Sequence, residues 1–443
     1  MQFSRALRVL SQPRVNSIAF VGAGGKTTSM FHLARELQAA ANLPVCVTVT
    51  THLGARQTSL ADQHITANLA SDLDNYRFQG VTLITGPVGD HDRTSCVDNE
   101  VLSRLKSEAQ NLGTPLLIEA DGARQKLLKA PDAHEPAIPD FVEMVIVVAS
   151  LAALDKPLTE EYVHRPEIVS KLSGLKIGES VTSDAIINML THPNGGLKNI
   201  PSQTRRVVLL TQADARELQS IGGKMASSLL THFDAVVVGT LQRSNFQTFE
   251  RTAGIILAAG ASTRFGQPKQ LLDWRGKPFV RAVAKTALES GLSPVVMVTG
   301  AYADQIEAAV QDLPVQMVRN SEWQSGQASS IRAGVQSLPD KTGAAIFLLA
   351  DQPQIKSDII RALIAHHSTE LFPIIAPLVL MEQRANPVLF DRDTFSDLVA
   401  LQGDVGGRAI FSKHHVEYLP WHDDSLLFDV DKPEDYPRMK ELE

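Results

Sequence analysis

The chain has 443 residues, more than one hydrophobic core ordinarily serves, so two or three domains are expected. Hydrophobic residues make up 44% and charged residues 21%, with a net charge of −7 and no block of Lys and Arg; this is the balance of a soluble globular protein and argues against nucleic acid or an anionic membrane as principal partner. No apolar run approaches the length of a membrane span, the opening MQFSRALRVLSQPR lacks the apolar centre of a secretory signal, and Cys46 and Cys96 form neither a metal pattern nor a disulfide framework, so the cytoplasm is the expected compartment.

In chain order, the first half alternates apolar runs with amphipathic stretches. Strands are expected near Ile18–Val21, Val45–Thr50, Thr82–Ile84, Leu116–Glu119, Val142–Val148, Val207–Leu210 and Val236–Val238. Helices are expected at Thr27–Ala39, Asp98–Asn111, Asp184–Leu190 and Ala215–Leu230. The first strand runs into IAFVGAGGKTT, where Gly22, Gly24 and Gly25 precede Lys26, Thr27 and Thr28 at a helix start. Such a junction gathers backbone N–H groups, an ammonium and hydroxyls around a phosphate. The literal Walker spacing wants a Gly where Phe20 stands, so this is a shortened phosphate loop, suited to ATP or GTP. LLIEADGAR ends another strand with Glu119 and Asp121 on one side, and either carboxylate is placed to hold Mg²⁺ beside Thr27. In LLTQAD, Thr211 and Gln212 stand where nucleotide-binding proteins carry a base reader, so the segment gives no ground for a guanine preference.

The polar, aperiodic stretch 241–252 is read as the boundary, giving domains 1–247 and 253–443. The second half restarts with a strand at 254–258, followed by strands near Val295–Thr299, Val315–Arg319, Ala345–Leu349 and Ile374–Ala376. Helices are expected at Val280–Glu289, Asp304–Gln311, Ser329–Gln336 and Lys356–His366. The expected fold is α/β, with two doubly wound domains. GIILAAGASTRFGQPKQLL opens the second one. The small residues Ala258, Ala259, Gly260, Ala261 and Ser262 let backbone N–H groups approach phosphate oxygens, Leu257 ends the strand before them as part of the same nucleotide-binding segment, and Arg264 and Lys269 add positive charge. Asp351 ends a strand in LLADQP, where open α/β sheets bind ligands and a carboxylate can hold Mg²⁺. Asp429 or Asp431 in FDVDKP would complete that metal site, Asp429 being slightly favoured. Ser329 and Ser330 at a helix start, and Asp404 and Arg408 in GDVGGRA, are candidate substrate contacts.

As a set and in this order, LAAGASTRFGQPKQLL, LADQP, NSEWQSGQASSIRAG, NPVLF, GDVGGRA and DVDKPEDY resemble the MobA-like nucleotidyltransferases, and among them the molybdenum cofactor cytidylyltransferases. The resemblance covers residues 253–443. It implies a Rossmann-like nucleotidyltransferase domain that moves CMP from CTP to the terminal phosphate of the molybdopterin cofactor. It also implies that loop 258–269 binds CTP, with Lys269 and Arg264 on its phosphates and Asp351 on magnesium. One departure bears on the acceptor. Asn386-Pro387-Val388 stands where these enzymes often show His-Pro-Val, and Asn386 can hydrogen-bond a substrate but cannot titrate as a base.

VGAGGKTT, TVTTHLG, EADGARQKLLKAPDAHEPAIP, VHRPE and HPNGGLKNIP resemble the selenium-dependent hydroxylase accessory protein family of the YqeC type, over about residues 10–245. That implies a P-loop-like domain in the maturation of molybdenum hydroxylases, with a hydroxylase apoenzyme as a partner and no reaction specified. His52, His134 and His164 fall in these motifs and read as hydrogen-bonding loop residues. The combined expectation is a bifunctional maturation enzyme. Its alternatives are a cofactor-binding chaperone without turnover, a transferase for another phosphate acceptor and, remotely, an NAD-linked oxidoreductase.

Overall fold

The structure is a computed structural model that describes residues 1–11, 14–89, 92–262, 265–379, 383–430 and 432–439. Arg264 and Asp431 therefore lie outside the described residues. The chain forms two compact units, Met1–Phe249 and Glu250–Glu443. Both are mixed α/β with parallel strands at the centre of the sheet.

The first unit is built on a sheet whose strands run in the order Asn245–Glu250, Ala235–Thr240, Arg205–Thr211, Met144–Ser150, Ser17–Gly22, Leu116–Glu119, Val45–Val49, Val81–Thr85 and Gln63–Thr66. Its central pairings are parallel. Along Ser17–Gly22, Ile18 and Phe20 enter one core while Ala19 and Val21 enter the other. Side chains alternate across a strand, so a strand covered on both faces reads as an unbroken apolar run. The helix Lys26–Ala41 starts at Gly25 in the left-handed region and stops at Asn42, also left-handed. The helix Asn99–Leu112 is capped by the Asp98 carboxylate, which accepts from the Val101 N–H at 2.8 Å, and it ends at Gly113 with a φ of +70°.

The stretch read as the boundary includes a strand. Asn245–Glu250 joins the first sheet, with Phe246 fully buried and stacked on Phe3 at 4.8 Å. Thr248 Oγ1 donates to the Ala6 carbonyl at 2.9 Å. Only Phe246 and Thr248 are buried in this strand, and two inward residues among polar neighbours are too short an alternation to stand out in sequence.

The second unit has strands in the order Gln316–Arg319, Val295–Thr299, Thr252–Ala258, Ala344–Leu349, Val388–Asp391, Ile374–Val379 and Gln383–Arg384, with Val416–Pro420 paired to Ile374–Val379. Val388–Asp391 runs antiparallel to both of its neighbours, which breaks the doubly wound pattern on that side of the sheet. Ile256 and Ala258 face one core, Ala253 and Ile255 the other. Gly334, in the helix Gln327–Gln336, packs so close to the sheet that an added Cβ would lie 2.7 Å from Ile255 Cγ2.

Candidate functional site

Each unit carries a cavity at the C-terminal ends of its parallel strands. In the second unit a cavity of about 750 Å³ is lined by the loop 259–262, Lys269, Ser330, Asp351 and Asp404, among others. Lys269 is held from two sides. Its Nζ lies 2.9 Å from Asp351 Oδ2 and donates to the Val430 carbonyl at 2.6 Å. Its backbone N–H donates to Ser262 Oγ at 3.2 Å, and Gln270 Nε2 donates to the Gly260 carbonyl at 2.9 Å. These bonds tie the small-residue loop to the segment that carries the lysine. Leu257, Ala259, Gly260 and Ser262 line the cavity, whereas Ala258 is buried in the core beneath it.

A smaller cavity of about 280 Å³ shares Leu257, Gln327 and Leu349 with the first, so the two adjoin. Ile331, Phe347, Val388 and Phe390 form apolar walls, and Asn386 and Arg408 bring polar groups to it. Arg408 Nη2 donates to Asn386 Oδ1 at 3.4 Å. Of the remaining substrate candidates, Ser330 and Asp404 line the larger cavity, and each also has a partner within the chain. Ser329 and Ser330 are both buried, and Asn320 Nδ2 donates to their hydroxyls at 2.8 and 3.1 Å. Ser329 donates in turn to the Gly326 carbonyl at 2.8 Å and acts as a brace for the helix start. The N–H of Gln327, the first residue of that helix, is taken by Asp404 Oδ1 at 3.1 Å. The chain's own carboxylate thus fills the place at which a helix N-terminus would receive an anion.

Of the carboxylates proposed for metal, Asp351 faces the cavity. Asp429 accepts a very short hydrogen bond from Gln352 Nε2. Among the described residues no group of three or more His, Cys, Asp or Glu is arranged to hold a metal ion alone. Magnesium characteristically binds one or two carboxylates and completes its shell with substrate phosphates and water, and Asp351 inside a cavity fits that donor set.

In the first unit a cavity of about 800 Å³ is lined by Gly24, Gly25, Lys26, Thr27, Thr28 and Glu119 on one wall. Gly22, Gly24 and Gly25 have φ of +92°, +87° and +119°. The loop presses on the neighbouring strand so tightly that a Cβ on Gly22 would lie 2.2 Å from the Val148 carbonyl oxygen. Thr27 Oγ1 donates to Glu119 Oε2 at 2.7 Å. Lys26 is buried. Its Nζ donates to the Gly22 carbonyl at 2.8 Å and lies 3.0 Å from Asp121 Oδ1 and 3.7 Å from Glu119 Oε1. Burial alone would lower the Lys26 pKa, but the charges of Asp121 and Glu119 outweigh it and raise it. Glu119 is raised by burial and by the Asp121 charge, against Lys26 and the Thr27 hydroxyl.

Asp121 departs from the role expected of it. Its Oδ2 accepts from the Gly22 N–H at 2.9 Å and lies 3.1 Å from Lys129 Nζ, while its Oδ1 faces Lys26. Two buried lysines neutralise it, so it secures the loop and is poorly disposed to bind a cation. Lys129 also meets Glu135 at 2.6 Å, and Arg165 grips Glu135 through both terminal nitrogens at 2.7 and 3.2 Å. Sequence reading weighed His134 and His164 in these motifs but passed over Lys129, Glu135 and Arg165, whose pairing depends on the fold. Two other contributors, Gln352 and the Val430 carbonyl, carried no signal in the sequence at all.

The model of the YqeC protein family matches residues 18–167, and that of the MobA-like NTP transferase domain matches residues 254–418. YqeC of Escherichia coli (strain K12) is 30% identical over 243 residues, which cover 52% of this chain and 90% of that protein. The chain belongs to the YqeC family through its first half and to the MobA-like NTP transferases through its second. The nicotine blue oxidoreductase of Paenarthrobacter nicotinovorans is 32% identical over 196 residues, covering 42% of this chain and 95% of that protein. The purine catabolism protein PucB of Bacillus subtilis (strain 168) is 31% identical over 199 residues, covering 42% of this chain and 95% of that protein. Both matches span about the length of the second unit.

Proposed function

We propose that the second half transfers CMP from CTP to the terminal phosphate of a molybdopterin-type cofactor, and that the first half binds ATP or GTP in the maturation of molybdenum hydroxylases. The observation that carries the transferase reading is the Lys269–Asp351 pair, 2.9 Å apart, inside a cavity edged by the small-residue loop. The adjoining smaller cavity supports two ligands meeting, with the nucleotide in the larger space and the acceptor in the smaller one beside Asn386 and Arg408.

In the proposed reaction an acceptor phosphate oxygen attacks the α-phosphorus of CTP, the bond to the bridging oxygen breaks, and pyrophosphate leaves. The nucleophile is already anionic, so no Ser, Cys or His is required. The barrier comes from two polyanions approaching and from charge growing on the leaving group. The Lys269 ammonium, fixed by Asp351 and the Val430 carbonyl, meets that charge at little reorganisation cost. Arg264, in the same loop segment, is proposed to share this task. A magnesium ion would be held by Asp351 together with Asp429 or Asp431, and when bound would neutralise phosphate charge. In the first half the proposed phosphate site is the loop Gly22–Thr28, and a nucleotide-bound cation would meet Thr27 and Glu119.

Lys269→Ala and Asp351→Ala should each lower pyrophosphate release from CTP and molybdopterin cofactor by about a hundredfold or more. Their circular dichroism and melting should stay close to wild type. Near-wild-type pyrophosphate release by either variant would falsify the transferase reading. A cofactor-binding chaperone would bind cofactor stoichiometrically and release none. A second reading, an NAD-linked oxidoreductase, is favoured by the similarity to nicotine blue oxidoreductase. The charged pair at the cavity has no evident task in hydride transfer, and NADH oxidation measured in the same preparation separates the two.

A further inference from the structure

Three motifs that the nucleotide reading leaves without a task converge in space. GARQK at 122–126, AHEPAIP at 133–139 and VHRPE at 163–167 all contribute to the wall of the cavity of about 800 Å³ that also holds the loop Gly22–Thr28. This volume lies near the upper end of small-molecule sites, and the phosphate loop occupies only one of its walls.

The charge of that wall is lopsided. Arg93, Arg124, Lys126, Arg165 and Lys26 line the cavity, against Glu119 and Glu135. Lys26 is taken up by Asp121 and Glu119, and Arg165 by Glu135. The side chains of Arg93 and Arg124 have no hydrogen-bond or ion-pair partner among the described residues. The electropositive character is visible on a neighbour. Burial together with the charges of Arg165, Lys129 and Arg124 pushes the His164 imidazole down to about 4.

The backbone adds an independent sign. Arg124, Gln125, Arg165 and Gln212 have φ of +47°, +59°, +62° and +56°, and all four line this cavity. Side-chain-bearing residues seldom adopt this conformation, and such residues gather where a ligand site over-determines the chain. Arg124 and Gln125 are consecutive, so the loop takes this conformation twice in succession where it borders the cavity.

We propose that this cavity is a two-ligand site, in which a nucleotide lies on the loop Gly22–Thr28 and a second, small oxyanion, a carboxylate or a phosphate, is held by Arg124 and Arg93. The proposal rests on the nucleotide reading of that loop. It makes the first half a domain that brings a nucleotide and an anionic small molecule together.

The test uses the full-length protein saturated with a non-hydrolysable ATP or GTP analogue and Mg²⁺. Inorganic phosphate and malonate are titrated separately by calorimetry, so that the two anion classes are told apart. Saturable binding of at least one probe is expected with the analogue in place. Arg124→Ala and Arg93→Ala should each weaken it tenfold or more, a loss larger than any change in analogue affinity. Absence of binding for both probes, competition between probe and analogue, or equal probe affinity in wild type and Arg124→Ala overturns the proposal. If neither analogue binds, the nucleotide reading has failed by itself. The same titrations on nucleotide-free wild type and Arg124→Ala then still decide whether the arginine site exists.

Discussion

At the scale of single residues, each of the two loops is followed by a lysine that the fold restrains. Lys26 and Lys269 are each bonded to a backbone carbonyl and paired with a carboxylate. Both lysines were legible from sequence as cations following a small-residue loop. Their restraints were not, because Asp121 is 95 residues downstream of Lys26 and Val430 is 161 downstream of Lys269. The glycines of the first loop are a sharper test. Gly24→Ala would place a Cβ 2.5 Å from Ser150 Cβ and 2.7 Å from the Leu127 carbonyl, at a φ of +87°. Two backbone segments cannot yield, so a loss of about 2–4 kcal/mol is expected from denaturant midpoints, together with loss of nucleotide binding. Gly174→Ala has the same sign of φ, at +85°, and open space around it, so its cost should be only about 1–2 kcal/mol.

Glu135 gives a pH prediction with a defined sign. Burial opposes its ionisation, but hydrogen bonds from Arg165 and Lys129 and their charges prevail and hold its carboxyl down at about 2. A carboxyl whose folded pKa is depressed contributes stability that is fully present above the unfolded value, near pH 4.5, and is lost as pH falls towards about 2. Urea midpoints at pH 7, 5, 4 and 3 should therefore fall across the last two steps. In Glu135→Gln that part of the slope should vanish, and an unchanged slope would contradict the pairing.

At the scale of elements, the parallel strands were readable because both their faces are buried, which leaves runs such as IAFVG and GIILA without polar interruption. Helices such as Asn99–Leu112 were readable to within a residue, and the structure shows Asp98 and Gly113 closing its two ends. What sequence did not disclose were strands whose identity depends on a partner. Val388–Asp391 is only four residues long and gains its place by antiparallel pairing to Ala344–Leu349 and Ile374–Val379. Asn245–Glu250 depends on Phe246 meeting Phe3, far away in the chain. Phe246→Ala removes that stacked, buried ring and should destabilise the first unit by about 3–5 kcal/mol, read from its own thermal transition. A loss under 1 kcal/mol would mean that this strand contributes no packing of consequence.

At the scale of the whole molecule, each unit has hydrophobic clusters of its own among the described residues. Fragments 1–250 and 251–443 should accordingly each express, fold and unfold cooperatively, and the second should retain pyrophosphate release. A second fragment that is unfolded by circular dichroism would refute this autonomy.

The sequence by itself determined which chemistry each half has available, since small-residue loops after apolar strands, and the lysines and carboxylates near them, are local features. It also determined both families, because their motifs keep their order along the chain. Only the tertiary structure decided which of those groups meet. Asp121, a metal candidate by spacing, is paired with two lysines, and Asp404, a candidate substrate contact, lines the cavity while it also accepts from the first N–H of a helix. The reason is physical. The role of a charged side chain is set by what lies within a few ångströms of it, and in a parallel α/β sheet those neighbours come from crossovers tens of residues long, a distance over which local patterns carry no information.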